Sequence, residues 1–189
     1  MIKAVIFDFF GVVRSDPYNT WLNNHGYSRE GKFLEAVERL DGGQIDSKEF
    51  RQMLSNFSGQ SLEDLNSEFE SSNKIDEDVI EIIKELKENY TIGLLSNAPS
   101  QYLRNILQEN NLEQYFNEIV ISSEVGYIKP SKEIFEIMLD RLGTDASSTI
   151  FIDDNKIHIK GGESLGIKGI VFKKAVQLRE ELEFLGIKV

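Results

Sequence analysis

The stretch VIFDFFGVV, residues 5–13, is apolar except for one carboxylate, Asp8. Its continuous run of β-branched and aromatic residues, extended backwards, predicts a strand over 2–8 that is buried on both faces. A carboxylate buried without a partner is very costly, so Asp8 requires a positive or hydrogen-bonding partner where this strand ends. Two positions later, where a second acid could assist Asp8, the sequence has the aromatic residue Phe10.

From residue 76 onward, short apolar segments alternate with amphipathic ones. This alternation predicts strands joined by right-handed helical crossovers in a mostly parallel sheet, and hence an α/β fold. The predicted strands after the first are 91–95, 118–122, 149–152 and 169–172, and the predicted helices are 76–88, 99–109, 131–142, 156–165 and 175–184.

Residues 15–75 have a different character, because they are polar and carry aromatic residues at helical spacing. Asp46 followed by Glu49 has the spacing of a capping box at a helix start. We therefore expect an α/β core formed by 1–14 and 76–189, with residues 15–75 as an all-helical insertion after the first strand. The predicted helices of the insertion are 17–25, 30–40, 46–56 and 61–72, with Phe33, Phe50, Phe57 and Phe69 as the core of the bundle.

Composition excludes several classes of function. The net charge is −11, with 21 Lys and Arg against 32 Asp and Glu, which argues against nucleic acid or an anionic membrane as a partner. There is no cysteine, which excludes disulfides, thiolate chemistry and cysteine zinc sites, and only His25 and His158 could serve a histidine site. No apolar run reaches the ~20 residues of a membrane span. The chain enters a strand at once without a signal peptide, which predicts a cytoplasmic protein.

Polar residues follow the predicted strands at their carboxyl ends, where open parallel sheets bind ligands. Each has an ordinary alternative: Ser96 and Asn97 can cap the helix that begins near Pro99, and Lys129 can be a solvated loop residue. Together, however, they place carboxylates, a hydroxyl, an amide and an ammonium at one edge. The residues of this set are Asp8, Ser96, Asn97, Lys129, Asp153 and Asp154.

The set suits phosphoryl transfer. Two carboxylates from different strands fit a hard cation such as Mg²⁺, which takes few protein carboxylates and keeps phosphate or water as its other ligands. With the charge neutralised, Asp8 can attack phosphorus as a nucleophile. Ser96, nearby backbone N–H groups and Lys129 can then hold the equatorial oxygens of the phosphoryl group.

The motifs VIFDFFGVV, LLSN, IKPSKEIF and IFIDDN, which lie in order between residues 5 and 155, resemble those of the haloacid dehalogenase (HAD) superfamily of hydrolases. The resemblance implies a three-layer, Rossmann-like core with strand order 5-4-1-2-3. It also implies that the insertion is a helical cap of the first type, similar to the caps of the sugar-phosphatase and epoxide-hydrolase-like branch. Such a cap closes over a small soluble phosphorylated substrate and excludes water.

The resemblance also implies roles for single residues. Asp8 would be the nucleophile, and Lys129 would stabilise both Asp8 and the phosphoryl group. Asp153 would support the metal-binding acid that follows it. The implied phosphate-binding residues are Ser96, Asn97 and Lys129, and the implied Mg²⁺ ligands are Asp8, the carbonyl of Phe10, and Asp154.

Phe10 departs from the family pattern, in which phosphatases read D-x-D-G-[TV] at the first motif. The missing second acid protonates the leaving oxygen and later activates water, a contribution typically worth ~10²–10⁴ in rate. Asp16 and Asp41 in the insertion could replace it, although their positions favour surface or turn residues. His158, one helical turn after Asp154, is predicted to be solvated or locally bonded.

Three functions follow from this departure. The leading one is a Mg²⁺-dependent phosphatase that is slow or limited to activated substrates, such as anomeric or acyl phosphates. The second is a degenerate relative that binds phosphate or a partner without turnover. The third is a metal-independent 2-haloacid dehalogenase, which the acidic pair Asp153-Asp154 disfavours. A dehalogenase would also need an arginine for the substrate carboxylate, for which the insertion offers Arg29, Arg39 and Arg51.

Overall fold

Five parallel strands form the centre of the structure, a computed structural model that describes residues 1–189. The sheet order is β3-β2-β1-β4-β5, which confirms the predicted order and places the first strand in the middle. Every residue of that strand is buried, which explains its uninterrupted apolar sequence. The strands are β1 (Ala4–Phe7), β2 (Thr91–Ser96), β3 (Glu118–Ile121), β4 (Thr149–Asp153) and β5 (Lys168–Val171).

Four helices form the insertion and enclose a hydrophobic cluster of their own. Trp21 is fully buried in this cluster and donates its indole N–H to Gln60 Oε1 at 2.8 Å. Phe33, Phe50 and Phe69 belong to it and Phe57 packs against it, so the predicted bundle core is confirmed. The helices are α1 (Pro17–Asn24), α2 (Gly31–Asp41), α3 (Ser47–Ser58) and α4 (Leu62–Ser71).

Six further helices cover the sheet on both faces, which makes the three layers of the predicted α/β fold. Successive residues of β1 alternate between the layers: Val5 and Phe7 pack in one hydrophobic cluster and Ile6 in another. The helices are α5 (Glu77–Lys87), α6 (Ser100–Glu109), α7 (Ser122–Val125), α8 (Lys132–Leu142), α9 (Lys156–Glu163) and α10 (Ala175–Phe184).

Local sequence signals set several of the element ends. The capping box of α3 is present: Asp46 Oδ1 accepts from Glu49 N at 2.8 Å, and Glu49 Oε2 accepts from Asp46 N at 3.2 Å. The predicted strand 118–122 ends one residue early, because Ser122 begins the short helix α7. None of the helices combines the length and the apolar character that a bilayer crossing requires.

The two chain segments that connect the insertion to the core are bonded to each other. Ser15 N donates to the carbonyl of Lys74 at 2.9 Å, and Lys74 N donates to Ser15 Oγ at 2.9 Å. Ser15 Oγ also donates to the carbonyl of Ser72. The division into a core and an insertion of residues 15–75 stays a proposal, supported by this narrow connection and by the separate cluster around Trp21.

We expect Trp21→Ala to unfold the insertion while the sheet persists. Truncating a large buried aromatic residue costs about 3–5 kcal/mol, and Trp21 belongs to the cluster of the insertion rather than to either cluster of the sheet. Limited proteolysis followed by mass spectrometry should show new cleavage confined to residues 15–75. Phe184→Ala, at a side chain that is 90% exposed, is the matched control and should change nothing. Cleavage spread over the sheet helices as well would contradict the division.

Candidate active site

The predicted site residues converge at the carboxyl ends of the central strands. Asp8 directly follows β1, Ser96 is the last residue of β2, and Asp153 is the last residue of β4. Lys129 lies in the loop before α8, and its side chain extends to the carbonyl oxygen of Leu95 in β2. The crossover topology brings these four residues together, although they are spread over more than half of the chain.

Lys129 is the centre of the site. Its Nζ lies 2.8 Å from Asp8 Oδ1, 2.7 Å from Asp153 Oδ2 and 3.0 Å from the carbonyl oxygen of Leu95, and its side chain is 0% exposed. Burial opposes the ammonium charge, but Asp153 and Asp8 outweigh it and raise the pKa of Lys129. The lysine is therefore a permanent cation with both carboxylates in contact.

The two carboxylates differ in how well they are compensated. Burial acts against the charge of Asp153, but Lys129 and His158 outweigh it, so the pKa of Asp153 is lowered. The pKa of Asp8 is raised well above its usual range, first by burial and then by the charge of Asp153, in spite of Lys129. One ammonium thus does not neutralise the acids around it, and the site has an excess of negative charge.

The two oxygens of Asp8 have different surroundings. Oδ1 accepts hydrogen bonds from Phe9 N at 2.7 Å and from Lys129 Nζ at 2.8 Å. Oδ2 has no hydrogen-bonding partner in the protein. The first oxygen is thereby fixed in place, which leaves the second available to a metal ion or to a reacting atom.

Asp154 lies directly against Gly11. A Cβ atom on Gly11 would come within 2.5 Å of Asp154 Oδ2, and the backbone at Gly11 has φ +88°, which L residues rarely adopt. The carboxylate receives no hydrogen bond from the protein. Although it is open to the solvent on one side, surrounding protein raises its pKa to about 6, and the charges of Asp153 and Asp16 add to this effect.

These features identify the residues that fit a hard cation. Asp8, Asp153 and His158 bring ligand atoms within 4.8 Å of one another. The Asp153 oxygens, however, already accept hydrogen bonds from Lys129 and, at 2.8 Å, from Asn155 N. They also lie 3.1 Å from His158 Nδ1. Asp8 Oδ2 and the Asp154 carboxylate have no protein partner, and an excess of negative charge surrounds them. We therefore expect Asp8 and Asp154 to hold Mg²⁺, with Asp153 as a supporting residue.

His158 is locally bonded, as predicted, and it also lies at the edge of the cavity described below. Burial lowers the pKa of His158 in spite of its contact with Asp153, so the ring is neutral at pH 7. Its Nδ1 faces both Asp153 oxygens, which fixes the orientation of the carboxylate that holds Lys129.

Ser96 and Asn97 do not cap a helix, so this alternative is wrong. The N-cap residue of α6 is Pro99, and the side chain that bonds to the start of this helix is Ser123, whose Oγ accepts from Ser100 N at 2.8 Å. Ser96 Oγ is buried without any hydrogen-bonding partner in the protein. Asn97 accepts from Lys129 N at 2.8 Å and donates to the Lys129 carbonyl at 3.1 Å, which fixes the loop that carries the lysine. Ser96 is not part of the lining of the cavity described below, but its unpaired buried hydroxyl, at the end of β2, is available to a phosphate oxygen.

A cavity of about 110 Å³ lies between this edge of the sheet and the helical insertion. Phe10 forms part of its wall, with its ring parallel to that of Tyr102 at 6.1 Å and edge-on to Phe9 at 5.0 Å. An aromatic surface therefore stands where the family pattern has an acid. The core contributes Asp8, Phe10, Asn97, Tyr102, Asp154 and His158 to the lining, and the insertion contributes Asp16, Arg29, Asp41, Phe50 and Arg51.

The interpretation of Asp16 and Asp41 as surface or turn residues is wrong, because both line the cavity. Asp16 is the N-cap of α1 and accepts from the backbone N–H groups of Tyr18 and Asn19 at 2.9 and 3.1 Å. Asp41 is the last residue of α2 and is only 7% exposed. The signal was present in the sequence, since Asp41 follows Val37 by one helical turn on the buried face.

The arginines of the insertion are differently placed. Arg29 lies between the two acids, with Nη1 3.8 Å from Asp16 Oδ2 and Nη2 3.8 Å from Asp41 Oδ2. Arg51 lines the cavity and donates to Asn66 Oδ1 at 2.8 Å. Arg39 is not part of the lining. The arginine nearest to the acids is therefore already balanced by negative charge.

Comparison with known proteins agrees with this geometry. Residues 21–172 match the family model of haloacid dehalogenase-like hydrolases. A D-ribitol-5-phosphate phosphatase of Bacteroides thetaiotaomicron is 26% identical over 96% of this chain and 97% of its own length. A pyrophosphatase of Bacillus mycoides is 25% identical over 96% of this chain and 88% of its own length.

Solved structures give the same picture. A HAD family enzyme from Bacteroides thetaiotaomicron, in complex with magnesium and inorganic phosphate, has a TM-score of 0.68 and 25% identity, and the match covers 92% of this chain and 95% of that one. An L-2-haloacid dehalogenase from Xanthobacter autotrophicus also has a TM-score of 0.68, over 100% of this chain and 85% of its own. Its identity of 17% shows a common fold alone.

We expect Gly11→Ala to abolish Mg²⁺ binding, because the new Cβ would displace the Asp154 carboxylate. Gly26→Ala is the matched control: its φ is also positive, at +68°, but nothing lies within 4 Å of the added Cβ. Both variants should lose about 1–2 kcal/mol from backbone strain. Only Gly11→Ala should lose the stabilisation by Mg²⁺ that thermal unfolding detects in the wild type. Equal Mg²⁺ stabilisation of both variants would exclude Asp154 as a ligand.

Proposed function

Because this chain belongs to the haloacid dehalogenase-like hydrolase family, we propose that it is a Mg²⁺-dependent phosphatase that acts on a small phosphorylated metabolite through Asp8. The observation that carries the proposal is the contact of the buried Lys129 with Asp8 Oδ1, which leaves Asp8 Oδ2 without a protein partner at the wall of a cavity. A carboxylate held in this way is positioned as a nucleophile. The named phosphatases among the relatives support the proposal.

Asp8 and Asp154 would hold the metal, together with the backbone carbonyl of Phe10. Bound Mg²⁺ supplies charge neutralisation for the phosphate oxygens and for the crowded carboxylates of the site. It would also counter the burial and the repulsion that raise the pKa of Asp8. The nucleophile would thereby be ionised at neutral pH, as attack on phosphorus requires.

The remaining residues of the edge would bind the phosphoryl group. Ser96 has a buried hydroxyl without a partner, and the Lys129 ammonium carries a positive charge next to the nucleophile. Asn97 keeps the Lys129 loop in place through its two backbone contacts. Asp8 would then attack phosphorus, the leaving group would depart with its oxygen, and water would release the phosphoryl group from Asp8.

The size and lining of the cavity indicate the substrate class. A volume of about 110 Å³ suits a small metabolite, and the lining combines aromatic rings with charged side chains. Such a wall fits a phosphorylated polyol or sugar, whose hydroxyl groups bind to carboxylates and arginines while its carbon skeleton packs on the rings. The relative that is a D-ribitol-5-phosphate phosphatase agrees with this class.

The presence of Phe10 in place of an acid favours the second function, that of a phosphate-binding protein without turnover. The phenyl ring of Phe10, packed against Tyr102 and Phe9, has no ionisable proton and so cannot act as an acid or a base. The dehalogenase function has less support, because Arg29 is balanced by Asp16 and Asp41 and because Asp154 is an unpaired acid beside Asp8. The experiment below separates all three.

We expect purified protein to release phosphate from acetyl phosphate and from 4-nitrophenyl phosphate, with activity lost on chelation of Mg²⁺. Both substrates have leaving groups that depart without strong acid assistance. Asp8→Asn should reduce the rate to the background without protein, because the nucleophile is gone. Asp140→Asn, at an exposed acid on α8, is the matched control and should keep full activity.

Two other results would assign the alternatives. If calorimetry shows binding of Mg²⁺ and inorganic phosphate but neither acetyl phosphate nor 4-nitrophenyl phosphate is hydrolysed, the chain is a phosphate-binding protein without turnover. Halide release from a 2-haloacid in the presence of chelator would establish the dehalogenase.

A further inference from the structure

The Asp41 side chain is a buried carboxyl group at the wall of the cavity that contains Asp8. Its side chain is only 10% exposed, and it receives no hydrogen bond from the protein. We propose that Asp41 is the general acid and base of this hydrolysis, and that it supplies from the insertion the proton transfer that Phe10 cannot perform. The proposal rests on the phosphatase function proposed above.

Asp41 is anchored to the catalytic edge of the sheet through its backbone. Its carbonyl accepts a hydrogen bond from Ser122 Oγ at 2.5 Å, and Ser122 Oγ itself accepts from Ala98 N at 2.9 Å. Ala98 follows Ser96 by two residues, so one hydroxyl links the end of α2 to the loop after β2. The next turn continues this contact, since a Cβ on Gly43 would lie 3.0 Å from Ser123 Cβ. The end of α2 is therefore docked on the core.

The charges around Asp41 suit a group that gives and takes a proton near neutral pH. Burial is the largest effect, and together with the charges of Asp16 and Glu38 it outweighs Arg29 and Lys129 and raises the pKa of Asp41 to about 7. General acids and bases are most effective when their pKa lies near the working pH. Arg29, 3.8 Å away, keeps the ionised form accessible.

Asp16 is the other acid that the insertion contributes, and it is less suited to this role. Its Oδ1 accepts two backbone N–H groups at the start of α1, and its Oδ2 faces Arg29. These contacts hold the carboxylate in a capping role, where its charged form stabilises the helix end. The Asp41 carboxyl group, by contrast, receives no hydrogen bond from the protein.

The proposed reaction has two steps. In the first, Asp8 Oδ2 forms a bond to phosphorus, the bond from phosphorus to the leaving oxygen breaks, and the Asp41 carboxyl proton passes to that oxygen. In the second, the Asp41 carboxylate takes a proton from water, the water oxygen bonds to phosphorus, and the bond from phosphorus to Asp8 breaks. Phosphate leaves, and both aspartates return to their starting state.

The test is the dependence of kcat/KM on the leaving group, with Mg²⁺ present throughout. The substrates are substituted phenyl phosphates from 4-nitrophenyl to phenyl, and D-ribitol 5-phosphate as an alkyl ester. Asp41→Asn should leave 4-nitrophenyl phosphate within a few-fold of the wild type, because that leaving group needs no proton. The loss should grow along the series and reach ~10²–10⁴ for the poorest leaving groups. Glu35→Gln, at an exposed acid on the same helix that does not affect Asp41, is the matched control and should follow the wild type.

Two further measurements separate proton transfer from a structural role. For phenyl phosphate, kcat/KM of the wild type should fall as the pH rises above about 7, as Asp41 loses its proton, and Asp41→Asn should lack this decline. The double variant Phe10→Asp/Asp41→Asn should regain turnover of phenyl phosphate, since the acid then stands at the position that the family pattern prescribes.

Folding of the variant can be checked independently. An acid whose pKa is raised in the folded state binds protons more tightly there than in the unfolded chain. The free energy of unfolding therefore falls as the pH rises from about 3.9, the pKa of an unfolded aspartate, to about 7. Asp41→Asn should accordingly be no less stable than the wild type at pH 8.

Three results would overturn the proposal while leaving the phosphatase function intact. They are an equal loss for all substrates in Asp41→Asn, no loss for any substrate in Asp41→Asn, and a wild type that hydrolyses 4-nitrophenyl phosphate but neither phenyl phosphate nor D-ribitol 5-phosphate. A wild type without activity on any phosphate substrate, or activity that Asp8→Asn leaves unchanged, would overturn the phosphatase function itself.

Discussion

The buried ammonium of Lys129, in contact with Asp8 and Asp153, is the constraint on which the rest of the site depends. Three charges are removed from water here, and each carries a desolvation penalty of several kcal/mol. Removing one partner of such a buried cluster costs about 3–5 kcal/mol, because it leaves an uncompensated charge. A chain keeps such an arrangement where chemistry requires it. Asn97, His158 and the backbone of Phe9 then hold the cluster in one geometry.

Local patterns and the right-handed crossover rule predicted the parallel α/β core, the helical insertion and the meeting of the edge residues. The strand order was implied by the resemblance to the HAD superfamily. The predicted elements differ from the structure mainly at their ends, and the short α7 was missed because Ser122 continues an apolar strand pattern. The position of Asp41 in the wall of the cavity was also not predicted. Helical periodicity put it on the buried face of α2, but the docking of that helix end on Ser122 depends on contacts between segments 81 residues apart.

Phe10 separates two functions that the family pattern places on neighbouring acids. Nucleophilic attack stays with the core, where Lys129 and the sheet edge fix Asp8. Proton transfer would move to the insertion, where Asp41 reaches the cavity only when α2 is docked. Catalysis would then require the closed arrangement, and an open insertion would leave a nucleophile without its acid. Such a coupling would keep bulk water away from Asp8 while the phosphoryl group is transferred.

The most direct test of this account is to locate the phosphoryl group during turnover. Protein quenched in acid while it hydrolyses acetyl phosphate with Mg²⁺ can be digested and its peptides analysed by mass spectrometry. The account predicts a phosphoryl group on Asp8 and on no other residue. Phosphate release at the same rate with Asp8 unmodified, or a phosphoryl group on another side chain, would contradict it.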